Sequence, residues 1–441
     1  MNRKWNNITR AVLLAFSVSL QVAGQQKNQL LFQKDSLALE DILNIIYKNN
    51  PQIKQSMAAE NSADLRIKLA GTAYLPNIDG TGNYTRMGPI PAFDLPNGHI
   101  QLYPDNALNL SVGVGQLLYD FGKTTKNVEI QKVNSEIAGL NIERIRQNIT
   151  LSAAVYFYNL IYVQSAIILK KDQIENLNRH LRVVEAKRQT GSATQFETLT
   201  TQVRISTAET ELADLFTLQQ VQLSHLCALM DIPNSSFAVR DVFKSAVYTQ
   251  PVDSFINHAM TGREELIMIN KKQGLVKLNY ELARIQNSPT LSLFANGGFK
   301  NGYLPEVEKL KGNYNAGIGF RIPIFDANRR NINLQIAISA IDETKYESDQ
   351  FHAMISDEII QNYSQYDLAK QKIDQRRLQL DQANEAYNQA ILKYKEGTIT
   401  NLDMLDAANT LSEARLLLLR ARTEFEISFI RLELSSGYKL Y

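Results

Sequence analysis

Leu118-Tyr119-Asp120-Phe121-Gly122-Lys123 returns 206 positions later as Ile324-Phe325-Asp326-Ala327-Asn328-Arg329. The same displacement carries Gly191-Ser192-Ala193-Thr194-Gln195-Phe196-Glu197-Thr198-Leu199 onto Gly397-Thr398-Ile399-Thr400-Asn401-Leu402-Asp403-Met404-Leu405. Upstream the displacement is 213, which sets Pro76 on Pro289. The change of seven fits a shorter connection between paired strands in the second half. Copies of ~200 residues are too long for a solenoid repeat and point to an internal duplication. The division is 25–240 followed by 241–441, both copies belonging to one structural unit, each in the order helix, strand, strand, long helix, helix.

The strands are read from alternation. Leu108, Leu110, Val112 and Val114 share one side, with Asn109, Ser111, Gly113 and Gly115 opposite. Tyr314, Ala316, Ile318, Phe320, Ile322 and Ile324 likewise oppose Asn315, Gly317, Gly319 and Arg321. Period two places each set on one face of a strand. Ile78–Met87 and Leu291–Asn301 are weaker, glycine-rich partners, and the stretches Gly88–Asn106 and Gly302–Gly312 are expected to be exposed loops. Apolar-out, small-or-polar-in segments of ~10 residues suit a transmembrane barrel, and a half-buried soluble hairpin shows the same pattern. Four strands close no barrel, so insertion requires several chains.

Helices fill the rest. Ile130, Val133, Ile137 and Leu140 are spaced 3-4-3, and Leu380, Ala383, Tyr387, Ala390 and Tyr394 continue as 3-4-3-4. That is coiled-coil spacing. No proline interrupts Phe121 to Met230 or Asp326 to Tyr441. Phe121 to Thr190 is therefore expected as one helix of ~70 residues, ~105 Å long. A helix from Leu37 to Ala70 plus the return helix from Gln195 to about Met230 sums to the same length. The second half repeats this with Asp253 to Gln286 and Asn401 to Leu434. Two short helices are thus expected to run beside each long one.

The chain has 441 residues, with 47 Lys and Arg against 45 Asp and Glu. That balance indicates no basic face for nucleic acid. With 44% hydrophobic and 21% charged residues, the average is that of a soluble protein. The lone Cys227 excludes a disulfide scaffold and a cysteine metal site. Residues 1–24 read as a secretory signal, with Arg3, Lys4 and Arg10, an apolar run Ala11 to Leu20, and small residues Val22-Ala23-Gly24 before Gln25. No later segment is expected to cross a bilayer as a helix, so any membrane location calls for a barrel.

No catalytic constellation emerges. His99, His180, His225, His258 and His352 show no ligand spacing, and neither a phosphate loop nor a nucleophile elbow occurs. Gly113-Val114-Gly115 and Gly317-Ile318-Gly319 lack the third glycine of a nucleotide loop. No enzyme activity, cofactor or metal is expected. The two hairpin turns hold more. Gly191 and Gly397 stand where a helix stops and φ > 0 is needed. Thr194 with Glu197, and Thr400 with Asp403, form capping-box patterns. Asp406 lies three residues beyond Asp403, on the same helix face. These acids either cap helices only, or form carboxylate rings around an oligomer axis, which would favour cations.

Through these residues the chain resembles the TolC-type outer membrane efflux protein family, outer membrane components of tripartite efflux and type I secretion systems. Tyr394-Lys395-Glu396-Gly397-Thr398-Ile399-Thr400-Asn401-Leu402-Asp403-Met404-Leu405-Asp406-Ala407 is similar to its second tip motif. The resemblance implies a mainly α fold with β: a homotrimeric channel-tunnel whose protomers each give four strands to a 12-stranded β-barrel in the outer membrane lipid of a Gram-negative bacterium. The barrel continues into a long α-helical coiled-coil periplasmic barrel. It also implies an equatorial band including Pro233–Val252 and the C-terminal tail. Gly191, Ser192, Gly397 and Thr398 match tip turns that meet a periplasmic adaptor of an inner membrane pump of RND, ABC or MFS type. Asp403 and Asp406 match the pore constriction, and Glu197 with Tyr394 a latch. Ile399 replaces a basic latch residue of some members, and Ser192 an apolar one. The alternative is an exported coiled-coil scaffold without a pore, its hairpins packed in water; an exported hydrolase has no residue constellation behind it.

Overall fold

The computed structural model describes residues 36–95, 98–240, 243 and 248–439. The expected leader, 1–24, lies outside the described residues. The first half runs α1 (Leu39–Asn49), α2 (Pro51–Gly71), β1 (Asn77–Arg86), β2 (Ala92–Leu95), β3 (Gly98–Gln101), β4 (Asn106–Tyr119), α3 (Lys123–Gln189) and α4 (Gln195–Met230). The second runs α5 (Val252–Gly262), α6 (Glu264–Ile285), β5 (Thr290–Lys300), β6 (Lys311–Arg321), α7 (Arg329–Glu396) and α8 (Asn401–Ser435). Backbone conformation carries the same repeat as the letters. Phe121, Gly122, Gly191 and Asp231 have positive φ, and so do Ala327, Asn328, Gly397 and Gly437, each 206 residues on.

The recurrent strand-to-helix motif is a capped corner. Two successive left-handed residues turn the chain, and the preceding aspartate caps the new helix. Asp120 Oδ2 accepts from the Thr124 amide at 2.7 Å and its hydroxyl at 2.6 Å. Asp326 Oδ2 accepts from the Arg330 amide at 3.0 Å and from the Asn287 side chain.

Several expectations are corrected. Leu37 to Ala70 is two helices, broken at Asn50, and Asp253 to Gln286 is two helices, broken 213 residues later at Arg263. Both break residues are extended, with ψ 126° and 129°. Pro51 bars its predecessor from the helical region. Asn50 Oδ1 then caps α2 through the Gln52 amide at 2.9 Å. Arg263 is held instead by Glu358 at 2.6 Å and the Ser435 carbonyl at 3.1 Å. The loop expected at Gly88–Asn106 contains the β2–β3 hairpin, in register Ala92↔Gln101. The strand expected to reach Ile324 ends at Arg321, because Pro323 has no amide to donate. Finally, α3 contains a stretch long and apolar enough to span a bilayer, contrary to expectation, and half of that stretch is buried.

The chain forms two compact units, each drawing on both halves of the sequence. One comprises the described residues within Met1–Lys54, Arg144–Arg263 and Met354–Tyr441. Its main core explains the apolar character of α3: Ala153, Ala154, Phe157, Leu160 and Ile161 pack with Leu43, Ile46, Leu226 and Met230. Each fully buried leucine contributes about 1.5–3 kcal/mol. Within the span expected as an equatorial band, residues 233–240 are tied down where Val239 bridges Leu37, whose amide donates to the Ala238 carbonyl at 3.0 Å.

The other unit comprises Gln55–Glu143 and Glu264–Ala353. Its sheet is antiparallel throughout, in the order β1-β4-β5-β6. The attached helices follow that order, with Ser135 bonded to Asp64, Lys271 to Glu136 at 2.6 Å and Lys272 to Glu347 at 2.6 Å. Register aligns the alternation across the strands. Val114 faces Ile78 and Ala295, and Leu293 faces Ile318, on one side. Thr81, Ser111, Asn296 and Asn315 lie on the other, where the Thr81 and Ser111 hydroxyls are 2.8 Å apart. A Cβ on Gly113 would meet Asn296 Oδ1 at 2.5 Å, which explains the glycine there. The apolar side is bare in the single chain, Val112 being 56% and Ile318 66% exposed. β1 and β6 each pair with one strand only among the described residues.

Candidate functional site

The two hairpin turns belong to the first unit and share one architecture. The helix stops at a left-handed glycine, φ 76° at Gly191 and 78° at Gly397. Ser192 N donates to the Lys187 carbonyl at 2.8 Å, and Thr398 N to that of Lys393 at 3.0 Å, satisfying the last carbonyls of each long helix. Each return helix then opens with a capping box. The Thr194 hydroxyl accepts from the Glu197 amide at 3.3 Å, and the Thr400 hydroxyl from that of Asp403 at 3.2 Å. Ser192 and Thr398 lie at these turns, Ser192 exposed and Thr398 at the parallel position of the second hairpin.

Asp403 and Asp406 differ in their surroundings. Asp403 Oδ2 accepts from the Thr400 amide at 2.9 Å and its hydroxyl at 2.7 Å. Those bonds hold its carboxyl below the usual range, so it is ionised at neutral pH. Asp406 caps nothing; its Oδ1 lies 3.3 Å from Arg204 Nη2 on α4, with 61% of the aspartate side chain exposed. A pair so exposed contributes at most about 1 kcal/mol. The capping reading accounts for Asp403 and leaves Asp406 without a helical role.

Glu197 and Tyr394 are brought together. The buried Tyr394 hydroxyl donates to Glu197 Oε2 at 3.3 Å, joining α7 to α4. Burial, then the charge and hydrogen bond of Glu197, push the phenol up to about 12. Lys187 completes the contact, donating to the Tyr394 carbonyl at 2.6 Å with its ammonium 4.1 Å from the ring centre. Val184, Tyr394 and Met404 form the small apolar core of the tip, with Ile399 packed against it. Ile399 thus serves packing.

Sequence reasoning missed Lys187, Arg204, His180 and Asn401. Arg204 and Asp406 stand 202 residues apart, His180 and Asn401 221 apart. Only the capping patterns of their neighbours mark the place in the sequence.

The family described as outer membrane efflux protein matches residues 42–230 and 262–438. The outer membrane efflux protein BepC of Brucella suis biovar 1 (strain 1330) is 22% identical over 396 residues, covering 89% of this chain and 83% of BepC. The outer membrane protein TolC of Escherichia coli (strain K12) is 20% identical over 405 residues, covering 88% and 80%. Among solved structures, CusC shares the fold, with a TM-score of 0.78 at 16% identity over 93% of this chain and 94% of CusC.

Proposed function

Because the chain belongs to the outer membrane efflux protein family, we propose that three copies close one barrel and that their hairpin tips form its periplasmic gate. The protein is an outer membrane export channel of the efflux and type I secretion kind, with a large periplasmic portion. One observation carries the trimer: a four-stranded sheet with a bare apolar face, whose edge strands β1 and β6 each have one side unpaired among the described residues. Such edges invite pairing, and a water-exposed apolar face of this size is costly. Pairing β6 of one copy with β1 of the next gives twelve strands, apolar face to lipid, small and polar face to a water-filled lumen.

The duct is passive. The two sequence copies, 25–240 and 241–441, supply matching hairpins, and Gly191, Ser192, Gly397 and Thr398 offer turns to a periplasmic adaptor of an inner membrane pump, which supplies the energy. Closure rests on Asp403 and Asp406 gathered around the threefold axis, with Tyr394–Glu197 as latch. Rings of carboxylates select cations. The Arg204 partner refines this, since removing Asp406 also unmasks a guanidinium. Purified trimers in planar bilayers are expected to pass a small, cation-selective current. Replacing Asp403 and Asp406 together by Ala should raise conductance and weaken or invert that selectivity. Unchanged conductance and selectivity would refute the gate assignment.

A further inference from the structure

One buried polar cluster at the tip adjoins the latch just described and brings in two residues the latch does not use, His180 and Asn401. His180 on α3 is 7% exposed, and its Nε2 lies 2.6 Å from Asn401 Oδ1. Asn401, the first residue of α8, is 4% exposed. Its amide nitrogen donates to the Glu197 carbonyl at 3.2 Å and to the Thr201 hydroxyl at 3.2 Å, both on α4. A single side chain therefore ties the start of α8 to α3 and α4 at once. The Tyr394 ring of α7 closes the cluster, 4.9 Å from the His180 ring.

The duplication supplies a control. At the positions equivalent to Asn401 and His180 in the other half stand Gln195 and Ala386. Gln195 is exposed and bonds Arg188 in its own turn. The glycine turn and capping box form at both hairpins, so the fold of a hairpin does not require this tie. It is present only on the helix that carries Asp403 and Asp406.

We propose that His180 and Asn401 are positioning residues of the gate, clamping the start of α8 against α3 and α4, and that protonation of His180 releases the clamp. The inference rests on the gate reading of Asp403 and Asp406. The groups facing the imidazole are Lys187 on its own helix, Glu197 from α4, Tyr394 from α7 and Asn401 from α8, with Arg179 and Lys395 lining the adjoining groove. Asp403 is engaged by its own Thr400. Burial pushes His180 below the ordinary histidine range and Lys187 adds to this, while the Asn401 bond and Glu197 oppose it. A ring that is solvated when the tip opens binds its proton more readily than the buried ring. Acidification through the ordinary histidine range near 6.5 therefore favours the open tip.

The test is the single-channel conductance of the full-length protein at pH 7.5 and 5.5, a window above the ordinary carboxylate range. Wild type is expected to open on acidification. His180→Gln, which keeps a donor for Asn401 but cannot titrate, should stay closed at both values, and Asn401→Ala should be open at both. A pH-independent wild type, or a full pH response in His180→Gln, overturns the clamp. The Asp403→Ala/Asp406→Ala variant separates the two levels. If it alters conductance while His180→Gln retains the wild-type pH response, the clamp fails and the gate stands. If it leaves conductance unchanged, the gate reading fails first. Should the His180 and Asn401 variants not assemble, hydrogen exchange on wild type decides. Amides of 197–201 and 401–406 should lose protection at pH 5.5, after correction for intrinsic rate, and unaltered protection refutes the proposal.

Discussion

Arginine at Val112 tests the face assignment most directly. Val112 stands on the apolar side of β4, in register with Gly80 and Gly297, so no neighbouring side chain covers a substituent there. It stands six positions from Asn106, the nearer end of the strand. At about 3.4 Å per residue that is roughly 20 Å along the strand, or ~15 Å of height at a tilt near 40°. An arginine reaches less far than this, so its guanidinium stays in hydrocarbon. The cost is then about 2–4 kcal/mol per chain, and roughly 6–12 kcal/mol for three copies. Asn315→Arg on β6 is the paired control. It lies at a similar depth but on the polar face, opposite Asn296. Outer membrane fractions run on gels with and without heating should show heat-modifiable trimer near wild-type yield for Asn315→Arg and little or none for Val112→Arg. Normal assembly of Val112→Arg, or equal failure of both, would show that the apolar face does not meet lipid.

Two further outcomes follow from the tip. Gly191→Ala and Gly397→Ala place a Cβ at φ 76° and 78°, where nothing lies within 4 Å, so the cost is backbone strain alone, about 1–2 kcal/mol each; hydrogen exchange should show faster opening confined to the substituted hairpin. The Tyr394 phenol, pushed up to about 12 from 10.0, keeps its proton in the folded protein while the unfolded chain loses it. Stability should therefore fall as pH rises from 10 towards 12, and denaturant titrations of Tyr394→Phe should show a smaller alkaline loss than wild type.

Much of this was legible in the letters because the rules are local. Alternation in Leu108–Val114 and Tyr314–Phe320 specified strands and their apolar faces, since side chains on a strand point to opposite sides. Thr-x-x-Glu and Thr-x-x-Asp after a glycine specified both turns, since cap and acceptor lie within four residues. The break at Asn50 carried a local signal, the following proline; the matching break at Arg263 did not, being held by Glu358 and Ser435 from distant segments. The short β2–β3 hairpin was hidden because four-residue strands among Pro, Gly and Asn leave too few positions for a period to show.

Sequence alone determined the strand faces and the tip turns, both set by residues near one another in the chain. Even composition misled only by averaging: few residues face outward on four strands, so a chain with a bare apolar sheet face still looks soluble. Tertiary structure decided the rest. It buried half of the apolar stretch of α3 in a core, set Glu197 under Tyr394, gave Asp406 an arginine partner, and joined His180 to Asn401 across 221 residues. Such contacts depend on which helix faces stand opposite each other, and no local spacing rule encodes that.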